Sequence, residues 1–273
     1  MTDIPFDFPE LTAQAIEAAK KAAPLAPWPV SNAWRLFLAE PAQFFRSVNA
    51  EAEPLSLYLY YYLHFTRFVH ETYRERKIPE EVFYNTFSDI GRWEKVCFEH
   101  TGIHGLEEYE WLALHLRLEL FGLGRLQFQP IPCPWNVPGP HSLKKGESVL
   151  NVHIPAGEKL SPALCESSYR QAERFFTPLP AIFICRSWLL CPALKKLLPP
   201  DSNILHFQEE YIILGVEEDS RQAEERIFGC LKSNPAEYPE TNSLQKAAKA
   251  WLISGNTLPE GYGVKISVSA DGT

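Results

Sequence analysis

The hydrophobic periodicity of the chain changes near residue 122, and this change limits the folds available to it. Before that point apolar residues recur every three or four positions, as in EEVFYNTFSDIGRWEKVCFEH, which is the spacing of an amphipathic helix. After it, short strand-like runs such as ESVLNVHIP and AIFICRSW alternate with helical segments and proline-rich turns. The sequence therefore predicts an α+β protein, with a helical domain over residues 1–122 and a mixed α/β domain over residues 123–273.

The longest helix is predicted over residues 54–76, where the aromatic run YLYYYLHF lies. Its tyrosines either pack between helices in the core or line a ligand groove. A later helix, LEEYEWLALHLRLELFG, is predicted to end at Gly122, because glycine readily adopts the left-handed conformation that stops a helix. Six strands are expected in the second half: RLQFQPI, ESVLNVHIP, AIFICRSW, NILHFQ, YIILGV and GVKISVS.

The charge and the cysteines restrict the compartment and the partners. Twenty-six basic against thirty-four acidic residues leave a formal net charge of -8, which repels nucleic acid and acidic lipid surfaces. The sequence shows neither a secretory signal pattern nor an apolar run long enough to span a membrane. Its six cysteines form no CxxC pair, so we expect free thiols in a cytoplasmic protein.

The common catalytic and phosphate-binding motifs are missing from the sequence. It contains no Walker loop, GxSxG, HExxH or strand–GxGxxG–helix pattern. Glu99, His100 and His104 are conceivable metal ligands, but Gly102 between the histidines argues against a helical pair, and no metal is expected. Asp89 and Arg92, three apart on one helix, are expected to form a surface ion pair.

Polar residues inside two apolar strands are more informative. Alternation places Asn151 and His153 on one face of their strand, and Cys185 and Ser187 on one face of theirs. Both pairs stand at the C-terminal end of a strand, where open α/β sheets bind ligands. The alternative is that His153 is a hydrogen-bonded core histidine and Cys185 a small packed hydrophobe.

Several long segments resemble a known family of bacterial proteins. FYNTFSDIGRWEK, LEEYEWLALHLRLELFGLGRLQFQ, LNVHIPAGEKLSPALCESSYRQAERFF and CRSWLLCPALKKLLPPDSNILHF are similar to proteins that pair a helical N-acyltransferase N-terminal domain with a GNAT-like C-terminal domain. The resemblance implies that acyl-CoA enters between two diverging parallel strands, LNVHIP and AIFICRSW. It also implies that the helix from Ser161 holds the pyrophosphate. The loop PAGEKLSPA departs from the family's Q/R-x-x-G-x-G/A, with Gly157 as its one glycine.

This resemblance implies an N-acyltransferase that moves an acyl group from acyl-CoA, or from a carrier-protein thioester, to a small-molecule amine or a peptide. We expect His153 to act as base or proton relay, and the backbone N–H groups after it to hold the oxyanion. Ser187 or Cys185 is expected to protonate the leaving thiolate, and the three side chains to line one cleft. A covalent acyl-Cys185 is a variant of the same hypothesis. The expected acyl-CoA-binding residues are Asn151, Ile154, Gly157, Ser161 and Asn203. The alternative is a degenerate GNAT fold that binds a ligand or a partner without turnover; the oligomeric state stays open.

Overall fold

The computed structural model describes residue 8, residues 10–137 and residues 142–266 of the chain. The first half is built from helices that follow the apolar spacing of the sequence. They are α1 (Ala13–Ala22), α2 (Val30–Ala39), α3 (Pro41–Asn49), α4 (Pro54–Glu75), α5 (Glu80–Thr101) and α6 (Tyr109–Leu116).

Strands and helices alternate in the second half. The strands are β1 (Phe121–Leu123), β2 (Leu126–Pro132), β3 (Ser148–His153), β4 (Ile182–Ser187), β5 (Ile212–Glu217) and β6 (Glu260–Ile266). The helices are α7 (Pro162–Phe175), α8 (Leu194–Leu197), α9 (Asn203–Glu209), α10 (Gln222–Phe228) and α11 (Ser243–Ile253). The predicted α+β class is confirmed.

The six described strands form one sheet in the order β1-β2-β3-β4-β6-β5. β3 and β4 are parallel, whereas β6 runs antiparallel to both β4 and β5. The connection from β3 to its parallel neighbour β4 is made by α7, as parallel pairing requires a crossover. Because the two strands run in the same direction, the C-terminal ends of LNVHIP and AIFICRSW lie at the same end of the sheet.

The chain divides into two compact units, which meet in sequence between Gln127 and Phe128. We call them the helical unit and the sheet unit. The helical unit extends past residue 122, because it includes β1 and the first two residues of β2. The domain boundary predicted at residue 122 stays a prediction.

The aromatic run of α4 belongs to the core of the helical unit. Tyr58, Tyr61 and Tyr62 are fully buried, so they pack between helices and do not line a groove. Tyr58 stacks on Tyr109 with ring centroids 3.9 Å apart. The hydroxyls of these three tyrosines each donate to a backbone carbonyl, Tyr58 to that of Phe45, Tyr61 to that of Trp28 and Tyr62 to that of Tyr109. Satisfied hydroxyls allow tyrosine to fill a core at little cost.

The predicted end of the sixth helix is wrong. α6 ends at Leu116, and Gly122 lies in strand β1. A Cβ atom at this position would lie 2.9 Å from the backbone of Asn85, so glycine allows the strand to approach α5 closely. The glycine therefore serves close packing rather than helix termination.

The strand predicted for NILHFQ is also wrong, because these residues form α9. The Ser202 hydroxyl accepts a hydrogen bond from the backbone N–H of Ile204 at 3.3 Å and so caps the helix. A short apolar run does not distinguish a buried helix from a strand. The sequence analysis also missed α3 and α11.

No helix among the described residues is long and apolar enough to cross a membrane. All six cysteines are free thiols, and five of them are buried.

Candidate active site

The parallel strands β3 and β4 carry four of the eight predicted site residues: Asn151, His153, Cys185 and Ser187. Their register pairs Leu150 with Phe183 and Asn151 with Ile184. Beyond these pairs β3 continues to His153 and β4 to Ser187. Open α/β sheets bind ligands outside the carboxyl ends of their strands, so these strand ends form the candidate active site.

The register shows which side chains share a face of the sheet. Directly paired residues point to the same side, and successive residues alternate. Asn151 is paired with Ile184, so His153 lies on the face that also carries Arg186. Leu150 is paired with Phe183, so Cys185 and Ser187 point to the opposite face. The prediction that His153, Cys185 and Ser187 line one cleft is therefore wrong, because a single substrate cannot touch both faces.

Cys185 and Ser187 belong to the packed face of the sheet. Cys185 has no exposed surface, and burial raises the pKa of its thiol. A nucleophilic cysteine needs the reverse, a lowered pKa and access to solvent. The Ser187 hydroxyl accepts a hydrogen bond from the backbone N–H of Leu189 at 3.2 Å, which starts the short 3₁₀ turn after β4. The geometry gives these two residues packing and capping roles.

His153 is half-buried at the end of β3, with two side-chain amides against the same ring nitrogen. Its Nε2 lies 3.1 Å from Oε1 of Gln129 and 3.1 Å from Nδ2 of Asn151. Gln129 stands on β2, the neighbouring strand. The sequence analysis placed Asn151 beside His153 but missed Gln129, because pairing between β2 and β3 cannot be read from either strand alone.

A second polar group lies on the face of His153, toward β6. Arg186 donates from Nε to the Glu260 carboxylate at 3.0 Å, and the Ser220 hydroxyl donates to the same carboxylate at 3.2 Å. Tyr262 is paired with Arg186 in the register of β4 and β6. Its ring stacks on Trp135 with centroids 4.8 Å apart. The sequence alone does not reveal this group, because its members are far apart along the chain.

The loop after β3 leads into α7. Ile154 is half-buried, and Gly157 is exposed with a φ of 110°, a conformation that favours glycine. The Ser161 hydroxyl accepts from the backbone N–H of Leu164 at 3.4 Å as the N-cap of α7. Pro162 has no N–H, so the first turn offers fewer donors to an anion than an ordinary helix start.

Asn203 is the first residue of α9 and is half-buried. Its predicted contact with acyl-CoA stays a prediction, as do those of Asn151, Ile154, Gly157 and Ser161.

The helical unit holds a buried charged cluster that the sequence analysis took for a surface ion pair. The Asp89 carboxylate, 3% exposed, accepts hydrogen bonds from Arg92 at 3.1 Å, Trp111 at 3.2 Å and His115 at 3.1 Å. Burial raises the pKa of Asp89, but the hydrogen bond and charge of His115, with further donors, lower it well below its usual range.

No metal site is found in the part of the chain that the structure describes. It contains no group of three or more His, Cys, Asp or Glu side chains that could hold an ion. The two histidines considered from sequence pair with carboxylates, since His100 contacts Glu107 at 2.9 Å and His104 contacts Glu94 at 2.6 Å.

Comparison with known proteins gives two family matches and a set of similar structures. Residues 7–118 match the N-acyltransferase N-terminal domain, and residues 120–265 match the GNAT-like C-terminal domain. A search of curated proteins finds no match.

The similar structures are crystal structures of acyltransferases. One, in complex with decanoyl-CoA and teicoplanin, is 23% identical with a TM-score of 0.73, over 94% of this chain and 84% of that one. Another, in complex with decanoyl-CoA, is 24% identical with a TM-score of 0.74 over the same shares. A mutant in complex with octanoyl-CoA is 21% identical with a TM-score of 0.73, over 95% and 85%. At these identities the similarity to solved structures shows the fold alone. The family match covers more than half of the chain, and it shows that the chain belongs to the family of proteins with a GNAT-like C-terminal domain.

Proposed function

We propose that the protein transfers an acyl group from acyl-CoA to an amine of a small-molecule or peptide acceptor. The observation that carries this proposal is the half-buried His153 at the C-terminal end of the parallel pair β3 and β4, in a domain of the GNAT-like family. Polar side chains on one face of the sheet surround that strand end, which is what an enzyme site needs and a packed core avoids.

The reaction needs a base and donors at the reacting carbonyl. The amine nitrogen bonds to the thioester carbon, the C–S bond breaks, and CoA leaves with its sulfur. The proton lost by the amine passes to the neutral imidazole of His153, which is a suitable base near pH 7. Backbone N–H groups beyond His153 are our candidates for the developing oxyanion.

The pyrophosphate of CoA requires positive charge and N–H donors after β3. The loop supplies the exposed Lys159 and the exposed Gly157, whose φ is 110°. Pro162 and the bonded N–H of Leu164 remove two donors from the first turn of α7. We therefore propose that Lys159 and the loop backbone carry more of this contact than the helix does.

The acceptor class rests on the similar structures. One of them was solved in complex with decanoyl-CoA and teicoplanin, so a bulky amine-bearing acceptor and a medium acyl chain are the first to test. The cytoplasmic location expected from the sequence belongs to this proposal too.

The test measures binding and turnover separately. Thermal unfolding is followed with acetyl-CoA, octanoyl-CoA, decanoyl-CoA and free CoA, because a ligand at one hundred times its dissociation constant adds about 2.7 kcal/mol. The same acyl-CoAs are then incubated with a panel of amines and peptides, with thiol release and product mass as readouts. Stabilisation and an acyl-amine product support the proposal. Stabilisation without product from any amine favours a non-catalytic binding module, and no stabilisation by any CoA contradicts both.

A further inference from the structure

Arg186 lies beside His153 on the same face of the sheet. The register of β3 and β4 pairs Asn151 with Ile184. Counting two residues further along each strand brings His153 of β3 and Arg186 of β4 to the same level. Paired neighbouring strands lie about 4.8 Å apart, so one small molecule can contact both side chains.

A buried carboxylate holds the guanidinium of Arg186 in place. Glu260 is 5% exposed, and it accepts from Arg186 Nε at 3.0 Å and from the Ser220 hydroxyl at 3.2 Å. Ser220 in turn accepts from the backbone N–H of Gln222 at 3.4 Å, which ties this carboxylate to the start of α10. Because Glu260 binds Nε, the Nη groups of the guanidinium are left to other acceptors.

Glu217 is the second carboxylate at this guanidinium, and its contact is loose. Its Oε2 lies 3.4 Å from Nη2 of Arg186, and the side chains of Arg186 and Glu217 are 50% and 52% exposed. An exposed ion pair of this kind contributes little. A carboxylate of a bound molecule can therefore take the place of Glu217.

The neighbouring aromatic ring does not cover Arg186. Tyr262 is paired with Arg186 and so lies on the same face. A Cβ atom at Gly215 would lie 2.7 Å from Cζ of Tyr262, so the ring extends over β5, on the side of β6 away from β4. Glycine at position 215 gives the ring this space, and the guanidinium stays half exposed.

We propose that Arg186 binds a carboxylate of the acceptor, so that the preferred acceptors carry an amine and a carboxylate a few bonds apart, as amino acids and short peptides do. This inference rests on the proposed function, because it places the acceptor amine at His153. The planar guanidinium donates two parallel hydrogen bonds to a carboxylate. Glu217 competes for the same Nη groups and leaves when the acceptor enters.

The first test measures binding without turnover. N-acetylglycine has a carboxylate but no free amine, and its binding to the full chain is followed by ligand-observed NMR. Arg186→Gln should weaken this binding about 10- to 100-fold, as expected for the loss of a charge-assisted contact. Glu217→Gln should strengthen it about 1.5- to 5-fold, because a competing carboxylate is removed. Arg170→Gln removes another arginine of an exposed ion pair; it is the matched control and should leave the binding unchanged.

The second test uses turnover with octanoyl-CoA. Glycine, β-alanine and glycylglycine are each compared with their amides as acceptors, in the wild type and in the variants. Arg186→Gln should lower the ratio of kcat/KM for acid over amide about 10- to 100-fold relative to the wild type. Differences in amine pKa within each pair cancel in this comparison. Arg186→Lys keeps a charge for Glu260 but lacks the planar fork, so it should lower the ratio less and controls for misfolding of Arg186→Gln.

The outcomes separate this proposal from the proposed function. The carboxylate site is overturned if N-acetylglycine does not bind the wild type, binds Arg186→Gln equally well, or binds Glu217→Gln more weakly. Weaker binding of acyl-CoA to Arg186→Gln, with unchanged binding of N-acetylglycine, assigns Arg186 to the phosphates of CoA and also overturns it. Binding of N-acetylglycine that depends on Arg186, with no acyl transfer to any amine, leaves the carboxylate site intact and overturns the proposed function.

Discussion

His115 in the helical unit and His153 in the sheet unit show how burial assigns different roles to the same side chain. His115 has no exposed surface, and its Nε2 lies 3.1 Å from the buried Asp89 carboxylate. His153 is half-buried, and its Nε2 lies 3.1 Å from Oε1 of Gln129 and 3.1 Å from Nδ2 of Asn151. A fully buried histidine that is hydrogen-bonded to a buried carboxylate stabilises the fold and is out of reach of a substrate. A partly exposed ring beside two amides is within reach of solvent, as the base that we propose has to be.

The largest expected effect is on turnover, and it is expected at the half-buried His153. His153→Ala should lower acyl transfer about 10²- to 10⁴-fold, the usual contribution of a general base, with a small change in the free energy of unfolding. Single-turnover rates and urea unfolding of the same preparation check this. If turnover per folded molecule stays intact, His153 is a structural residue and the contrast between the two histidines disappears.

The buried pair should respond in the opposite way. Asp89→Ala leaves His115, Arg92 and Trp111 without their acceptor, and removing one partner of a buried charged pair costs about 3 to 5 kcal/mol. Urea unfolding at pH 7 measures the loss. Asp89→Asn is the control, since it keeps an acceptor oxygen and removes only the charge. A loss of turnover in folded Asp89→Asn, with little loss of stability, would contradict a purely structural role.

The same cluster predicts how stability depends on pH. The pKa of Asp89 is lowered in the folded protein, so the unfolded chain binds its proton first. The stabilisation is complete above the unfolded pKa of about 3.9 and is lost as the pH falls through the lower folded value. Unfolding free energies of the wild type should therefore drop below about pH 4, with a shallower drop in Asp89→Asn.

The two units also differed in how far the sequence could predict them. Apolar spacing gave α4 and α5 well, because their buried stripes repeat along a single segment. Asp89 was expected at the surface. The sequence could not show its burial, because residues 89 and 115 lie on different helices and meet only in the tertiary structure. It missed Gln129 for the same reason, as strand pairing with β3 is set by the whole sheet.

Strand parity alone also misled the site prediction. The alternation of side chains within β3 and within β4 was predicted correctly. The register between the two strands was not, because His153 was expected to lie on the same face as Cys185 and Ser187. The observed pairing of Asn151 with Ile184 shifts one pattern against the other. A shift of one residue in strand register places every side chain on the opposite face of the sheet. Cys185 and Ser187 therefore lie on the face opposite to His153.

A substitution at Cys185 tests directly which face of the sheet this residue occupies. Its expected effect on the free energy of unfolding is intermediate among those predicted. Cys185→Ser places a hydroxyl in a site with no exposed surface, which costs about 1 to 3 kcal/mol if it stays unsatisfied. Turnover per folded molecule should not change. Cys230→Ser is the matched control, because Cys230 is only half-buried and the same change there should stay within about 0.5 kcal/mol. An acyl-enzyme detected by mass on Cys185 would restore the discarded catalytic role.

The smallest effect compares one helix cap from each unit. Ser161 caps α7 by accepting from the N–H of Leu164 at 3.4 Å, and Thr12 caps α1 by accepting from the N–H of Ala15 at 3.1 Å. Replacing a capping residue by Ala costs typically about 1 kcal/mol. Because the hydrogen bond of Ser161 is the longer one, we expect Ser161→Ala to lower the free energy of unfolding less than Thr12→Ala does.

The same two variants test whether CoA lies over the start of α7. If it does, the stabilisation that acyl-CoA gives against heat should change in Ser161→Ala and not in Thr12→Ala. Removing the hydroxyl frees the N–H of Leu164 for the pyrophosphate, so acyl-CoA should stabilise Ser161→Ala at least as well as the wild type. A clear loss of acyl-CoA binding in this variant would instead show that the Ser161 hydroxyl itself contacts the ligand.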